Sequence, residues 1–145
     1  MESSRQSKIF DVVRNCFVAA TPEEQVRQKW LQAMVTSLGY PKELIAVEKE
    51  LWRLPHLLHD PHVPQRRADI ICFAKGIHAE HPLFPLLLIE CKQEALNAKA
   101  LDQVMGYNYY VGAPFVAVVN GTHIVMNQGL STLPSYQELI RRVNP

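Results

Sequence analysis

Apolar and polar residues along this chain follow two different periods. Val26, Trp30, Ala33, Met34 and Leu38, with Leu31 and Val35 at the margin, recur three and four positions apart, which is the spacing of one face of an amphipathic helix. The preceding Thr21-Pro22-Glu23-Glu24 supplies a capping threonine, a proline at the first helical position and a glutamate three residues after the cap. The helix is predicted to run to about Leu38 and stop at Gly39. Residues 45–52 then switch to a period of two, with Ile45, Val47 and Leu51 on one face and Glu48 and Glu50 on a solvated face of a strand.

Two nearly continuous apolar runs follow a proline- and histidine-rich loop at residues 55–64. Asp69-Ile70-Ile71-Cys72-Phe73-Ala74 opens on its only acid, and Leu86-Leu87-Leu88-Ile89-Glu90-Cys91-Lys92 is apolar until its end. If the two pair antiparallel around a loop near His78 and Glu80, the start of the first lies opposite the end of the second. Asp69 and Glu90 then become neighbours. Alternation puts Glu90 and Lys92 on one face, about 7 Å apart along the strand, with Cys91 pointing away.

Leu96, Ala100, Gln103 and Tyr107 predict a second helix over about residues 95–110, closed by Pro114 and carrying Gln103 and Tyr107 on one face. Residues 115–119 and 122–126 flank Asn120-Gly121, a dipeptide that accepts the positive backbone dihedrals of a tight hairpin turn. Residues 135–142 predict a short closing helix. This order of elements gives an α/β or α+β fold, a central mixed β-sheet flanked by helices.

Composition sets the scale. With 145 residues, 48% of them hydrophobic and 20% charged, the chain is expected to form one soluble domain with a real core. A formal charge of +1 leaves the partner open, because nucleic-acid binding needs only a local basic patch and not a basic chain overall. Cys16, Cys72 and Cys91 are odd in number and widely spaced, which indicates neither a zinc knuckle nor a disulfide framework and points to a reduced, cytoplasmic setting. The first residues lack the pattern of a signal peptide, and no stretch has the length of a membrane span.

The chemistry concentrates at the predicted strand pair. Two carboxylates held together at the edge of an apolar sheet are costly to keep ionised unless a cation offsets them. Mg²⁺ suits that position, since it prefers oxygen ligands, takes one or two carboxylates and retains waters for chemistry. His56, His59 and His62 around Asp60 have tempting spacings, but in a proline-rich loop without cysteine they read as loop residues and not as a zinc site.

Asp69, the Glu90-Cys91-Lys92 strand end, an acidic helix upstream and Gln103-x-x-x-Tyr107 downstream resemble the PD-(D/E)xK nuclease superfamily. More narrowly, Pro22-Glu23-Glu24-x-Val26-Arg27-Gln28, Gly39-Tyr40-Pro41, Val47-Glu48, Arg67-x-Asp69-Ile70, Ile89-Glu90-Cys91-Lys92 and Asn120-Gly121 resemble the N-terminal nuclease domain of type I restriction enzyme R subunits. The resemblance covers roughly residues 21–125 and implies a restriction-endonuclease-like fold. It makes Asp69, Glu90 and the backbone carbonyl of Cys91 the metal ligands, and Lys92 the residue that positions or activates the attacking water. Glu24 matches the family's helix glutamate, with Glu23 as the alternative, and Glu48 falls at a matching position without entering the ligand set. Gln103 and Tyr107 match the helix motif bordering the site.

Two departures accompany the match. Ala68 stands where the superfamily has its eponymous proline. Whole R subunits also carry an ATP-driven translocase, so these residues are not expected to constitute one by themselves. The activity implied is Mg²⁺-dependent hydrolysis of DNA phosphodiester bonds in restriction or repair, with Mn²⁺ as a substitute and a homodimer or larger nuclease complex as the assembly. Arg66, Arg67, Lys99 and Arg27 are candidates to hold the phosphate backbone, and Tyr107 is the aromatic candidate for nucleic-acid contact, against a packing role. The alternative reading is a nuclease-fold module that no longer cuts and binds nucleic acid or a partner protein.

Overall fold

The computed structural model describes residues 7–145. Its centre is a mixed five-stranded sheet ordered β3 (Ile45–Glu50), β4 (Arg67–Lys75), β5 (Leu83–Cys91), β6 (Phe115–Val119) and β7 (Ile124–Met126). All neighbours pair antiparallel except β5 and β6. That parallel pair is joined by a crossover helix, α2 (Ala98–Val111), as parallel pairing requires. The other helices are α1 (Pro22–Thr36) and α3 (Tyr136–Val143). The architecture is α+β, as the periodicities predict.

The sheet is buried on both faces. Leu31 and Met34 of α1 pack with Ile70, Cys72, Ile89, Cys91, Ala117 and Val119 on one side. Val104, Tyr107 and Val111 of α2 pack with Ile71, Leu88, Val116 and Val118 on the other. Both faces of β4 and β5 are therefore apolar, which is why these strands read as unbroken hydrophobic runs.

Helix α1 begins as its sequence predicts. Thr21 caps it, its Oγ1 accepting from the backbone N–H of Glu24 at 3.1 Å. Thr21→Ala is expected to cost about 1 kcal/mol, read as a lower urea midpoint. The buried stripe of α1, however, is Glu24, Arg27, Gln28, Leu31 and Met34. Leu31 is central to it, whereas Val26 and Trp30 are only partly buried. The first turns of the helix bury charge, which a search for apolar periodicity passes over.

Three further local differences have clear causes. The chain ahead of α1 forms a hairpin of β1 (Lys8–Asp11) and β2 (Cys16–Ala19), where no strand was predicted. Its turn is built by the fully buried Asp11, whose Oδ1 accepts from the N–H groups of Val13 and Arg14 at 2.8 and 2.7 Å, and by Asn15 at φ 55°. The hairpin turn sits one residue beyond the expected Asn120-Gly121. Val119 pairs with Ile124 and the Asn120 N–H donates to the His123 carbonyl at 3.0 Å, leaving Gly121 and Thr122 at the tip, while the Asn120 side chain accepts from the N–H groups of Thr122 and His123 at 3.0 and 2.7 Å. Strand β3 ends at Glu50 in a helical turn over Leu51–Arg53. Within the loop at residues 55–64, the His56 Nε2 lies 3.1 and 3.0 Å from the carbonyls of Tyr110 and Val111 at the end of α2.

Candidate active site

Strands β4 and β5 pair antiparallel with Ile70 opposite Ile89. Asp69 and Glu90 are the next residues outward on the two strands, and a hydrogen bond ties them locally: the backbone N–H of Cys91 donates to Asp69 Oδ2 at 2.8 Å. Both acids are largely buried, Asp69 at 7% and Glu90 at 8% exposure, so the apolar strands carry two desolvated carboxylates to one end of the sheet.

Each carboxylate is held by a different helix layer. From α1, Arg27 donates through Nη2 to Asp69 Oδ1 at 2.9 Å and through Nη1 to Glu24 Oε1 at 2.8 Å. From α2, the Tyr107 hydroxyl donates to Glu90 Oε2 at 2.6 Å. Arg66, just before β4, donates to Glu90 Oε1 at 3.0 Å and lies over the Tyr107 ring at 3.7 Å from its centroid. Burial and the Asp69 charge push the Glu90 carboxyl up to about 7, against the Tyr107 hydrogen bond and the positive charges of Arg66 and Lys92. A group poised there exchanges its proton near neutral pH. Removing the hydroxyl with Tyr107→Phe is expected to raise the Glu90 pKa further, read by carboxylate NMR titration.

The helix glutamates have separate positions. Glu24 is buried and accepts from Arg14 at 3.0 Å, Arg27 at 2.8 Å and Gln28 at 3.2 Å, so its carboxylate turns inward and does not return to the Thr21 amide. Glu23 is half exposed, 3.6 Å from Arg27, and its pKa is raised by burial and by the charge of Asp69. Glu23 is thus the less encumbered of the two.

Glu48 is not on a solvated strand face. On either side of it Val47 pairs with Ile70 and Lys49 with Ala68, so it sits across from Asp69. Its φ is 51°, a left-handed conformation unfavourable for a residue with a side chain. The resulting kink directs its carboxylate to Arg14 at 3.2 Å and Arg27 at 3.4 Å. Arg14 comes from the β1–β2 turn, so the unpredicted hairpin also closes this side of the cluster. Arg14, Glu23, Glu24, Arg27 and Glu48 line a recess of about 300 Å³.

Lys92 follows the last residue of β5, its N–H donating to the Val119 carbonyl at 2.8 Å. With Asn97, Lys99 and Gln103 it lines a second recess of about 190 Å³ beside the start of α2. Gln103 and Lys99 are exposed there. Three expectations for nucleic-acid contact change. Tyr107 is 5% exposed, with Arg66 over its ring, so it presents no free face for a base; it positions Glu90 instead. Arg27 is 3% exposed and holds carboxylates, not phosphates. Arg66 is engaged with Glu90, whereas Arg67 is largely exposed at 3.6 Å from Glu50.

The donor set suits a hard divalent cation. It consists of carboxylates and backbone oxygens; the Glu90 pKa is raised first by burial and then by the adjacent Asp69 charge. Among the described residues no three His, Cys, Asp or Glu side chains form a ready-made cage, so protein side chains alone would leave an ion partly water-ligated. Cys91 is buried and unpaired, and burial raises its thiol pKa, leaving only its backbone as a plausible oxygen donor.

A mixed sheet with two acids at one end of adjacent strands, a lysine beside them and an acidic helix alongside is a nuclease-like arrangement. The family model for the type I restriction enzyme R protein N terminus matches residues 22–141, and the chain belongs to that family. No curated protein and no solved structure matches it. Family membership supports a nuclease-related role. No helix among the described residues is long and apolar enough to cross a membrane.

Proposed function

We propose that the protein is a divalent-cation-dependent nuclease that hydrolyses DNA phosphodiester bonds. The observation that carries this reading is the β4–β5 register, which makes two buried carboxylates neighbours at the strand end that Lys92 extends. Asp69, Glu90 and the Cys91 carbonyl would hold Mg²⁺, with Mn²⁺ able to substitute. A bound cation of this kind supplies polarisation of the phosphate and a more acidic water. The Lys92 ammonium would orient that water, favour its deprotonated form and add positive charge where negative charge develops. Tyr107 fixes the rotamer of Glu90, and Gln103, Lys99 and Arg67 are the accessible groups for guiding a phosphate backbone. DNA, in preference to RNA, is the substrate proposed, a reading supported by membership of a restriction-enzyme family. Pairing of two copies would bring a second site for the opposite strand.

The experiment is calorimetric titration of the protein with Mn²⁺, alongside plasmid and single-stranded DNA cleavage in Mg²⁺ or Mn²⁺. The proposal expects a cation site lost in Asp69→Asn and in Glu90→Gln, and cleavage that requires it. One observation favours a second reading, a nuclease-fold module that binds without cutting: all four carboxylate oxygens of Asp69 and Glu90 already have protein donors, two of them arginines. That module would bind DNA with strong salt dependence and give no heat with Mn²⁺.

A further inference from the structure

We propose that Arg27 is the resident counter-cation of this carboxylate cluster, holding Asp69 in place without metal and yielding that role when a divalent cation binds. The inference rests on the metal-binding reading above and extends it to a residue outside the ligand set.

The placement of Arg27 is unusual for a surface helix. It is 3% exposed and faces Asp69, Glu24, Glu48 and Glu23 at 2.9, 2.8, 3.4 and 3.6 Å. Four acids from α1, β3 and β4 therefore share one guanidinium, supplemented among the described residues by Arg14 at the outer side. Its Nε is buried with no hydrogen-bond partner. A buried donor without a partner is unfavourable, so charge, not complete hydrogen bonding, keeps the guanidinium there.

Asp69 shows why this matters for a cation. Its Oδ2 accepts from the Cys91 backbone, and its Oδ1 accepts from Arg27. One of its two donors thus carries a full positive charge, and repulsion between that charge and an arriving cation must be relieved. Glu48 and Glu23 supply the means: they lie toward the open recess, already within 3.4 and 3.6 Å of Nη2, so the guanidinium can shift to them without losing a carboxylate partner. Arg66 on Glu90 has a buried, unpartnered Nε as well and lies over the Tyr107 ring, but its side chain is 40% exposed against 3% for Arg27, so water can take over part of its role. The buried arginine is the one that sets cation affinity.

The test is Mn²⁺ calorimetry on wild type, Arg27→Gln and Arg27→Lys, with a ¹⁵N spectrum of the arginine Nε–H groups of wild type during Mg²⁺ titration. Arg27→Gln is expected to bind Mn²⁺ about tenfold or more tightly than wild type, and to melt lower than wild type without metal but recover with it. Arg27→Lys keeps the charge and falls between. The wild-type Arg27 Nε–H resonance moves in step with Mg²⁺ saturation, a readout that depends on no variant folding. Equal or weaker Mn²⁺ binding by a folded Arg27→Gln, or an Arg27 resonance that stays still while Mg²⁺ binds, overturns the counter-cation role and leaves the nuclease reading intact. Binding by Arg27→Gln but not wild type supports the role in its strongest form. Absence of binding in every form overturns both.

Discussion

Asp69→Asn is expected to lower Mg²⁺-dependent DNA cleavage by at least about a hundredfold, and Lys92→Ala by a similar factor. The asparagine has nearly the shape of the acid but differs in charge and in one donor. Asp69 uses one oxygen for the Cys91 N–H and the other for Arg27, so an amide nitrogen must meet a donor in either orientation. The substitution removes the charge that would hold the cation and also leaves Arg27 with less compensation inside the protein. A lower melting temperature therefore accompanies the lost activity in Asp69→Asn. Lys92 is partly exposed beyond the strand end, and Lys92→Ala is expected to lose activity with little change in stability. Plasmid relaxation measured beside thermal melts separates the two. Wild-type cleavage by purified Lys92→Ala contradicts the role given to this lysine.

The metal-free protein is expected to lose stability as pH rises from 5 to 8, by up to about 3 kcal/mol from Glu90 alone. The Glu90 carboxyl is pushed from an ordinary 4.5 to about 7 in the fold, first by burial and then by Asp69. Between these values the folded protein holds a proton that the unfolded chain has released, so raising the pH favours unfolding. The contribution is fully present below about 4.5 and lost as pH passes about 7. Urea midpoints in chelator at pH 5 and pH 8 measure it, with Glu90→Gln as the reference because it cannot titrate. Wild type should fall relative to Glu90→Gln across this interval, and Mg²⁺ at pH 8 should restore much of the loss. Parallel behaviour of the two proteins contradicts the raised pKa.

Both predictions arise where local sequence patterns are least regular. The strand pairing was legible because β4 and β5 are apolar on both faces and each has its acid at one end, which fixes Asp69 beside Glu90. The cap, proline and glutamates of α1 located its start. Its charged inner face was not legible, since Glu24, Arg27 and Gln28 occupy buried positions that a hydrophobic stripe would fill. The same holds for Glu48, whose alternation with Glu50 reads as a solvated strand until the left-handed turn at φ 51° redirects it. These local rules are broken where the fold gathers charge, as expected at a site selected for something other than stability. The β1–β2 hairpin had a signal of another kind, an aspartate and an asparagine flanking the short turn at Val12–Arg14, but its strands are too short for periodicity to register. Spacing put Tyr107 on the helix face of Gln103, and only the resemblance implied that this face borders the site; the hydrogen bond to Glu90 is what distinguishes a positioning role from a stacking one.

The most direct measurement is anomalous diffraction from a crystal soaked in Mn²⁺. The account predicts a manganese peak between the carboxylates of Asp69 and Glu90, with Arg27 drawn toward Glu48. A Mn²⁺-saturated crystal with no peak at those two side chains, or with the ion held elsewhere, contradicts it.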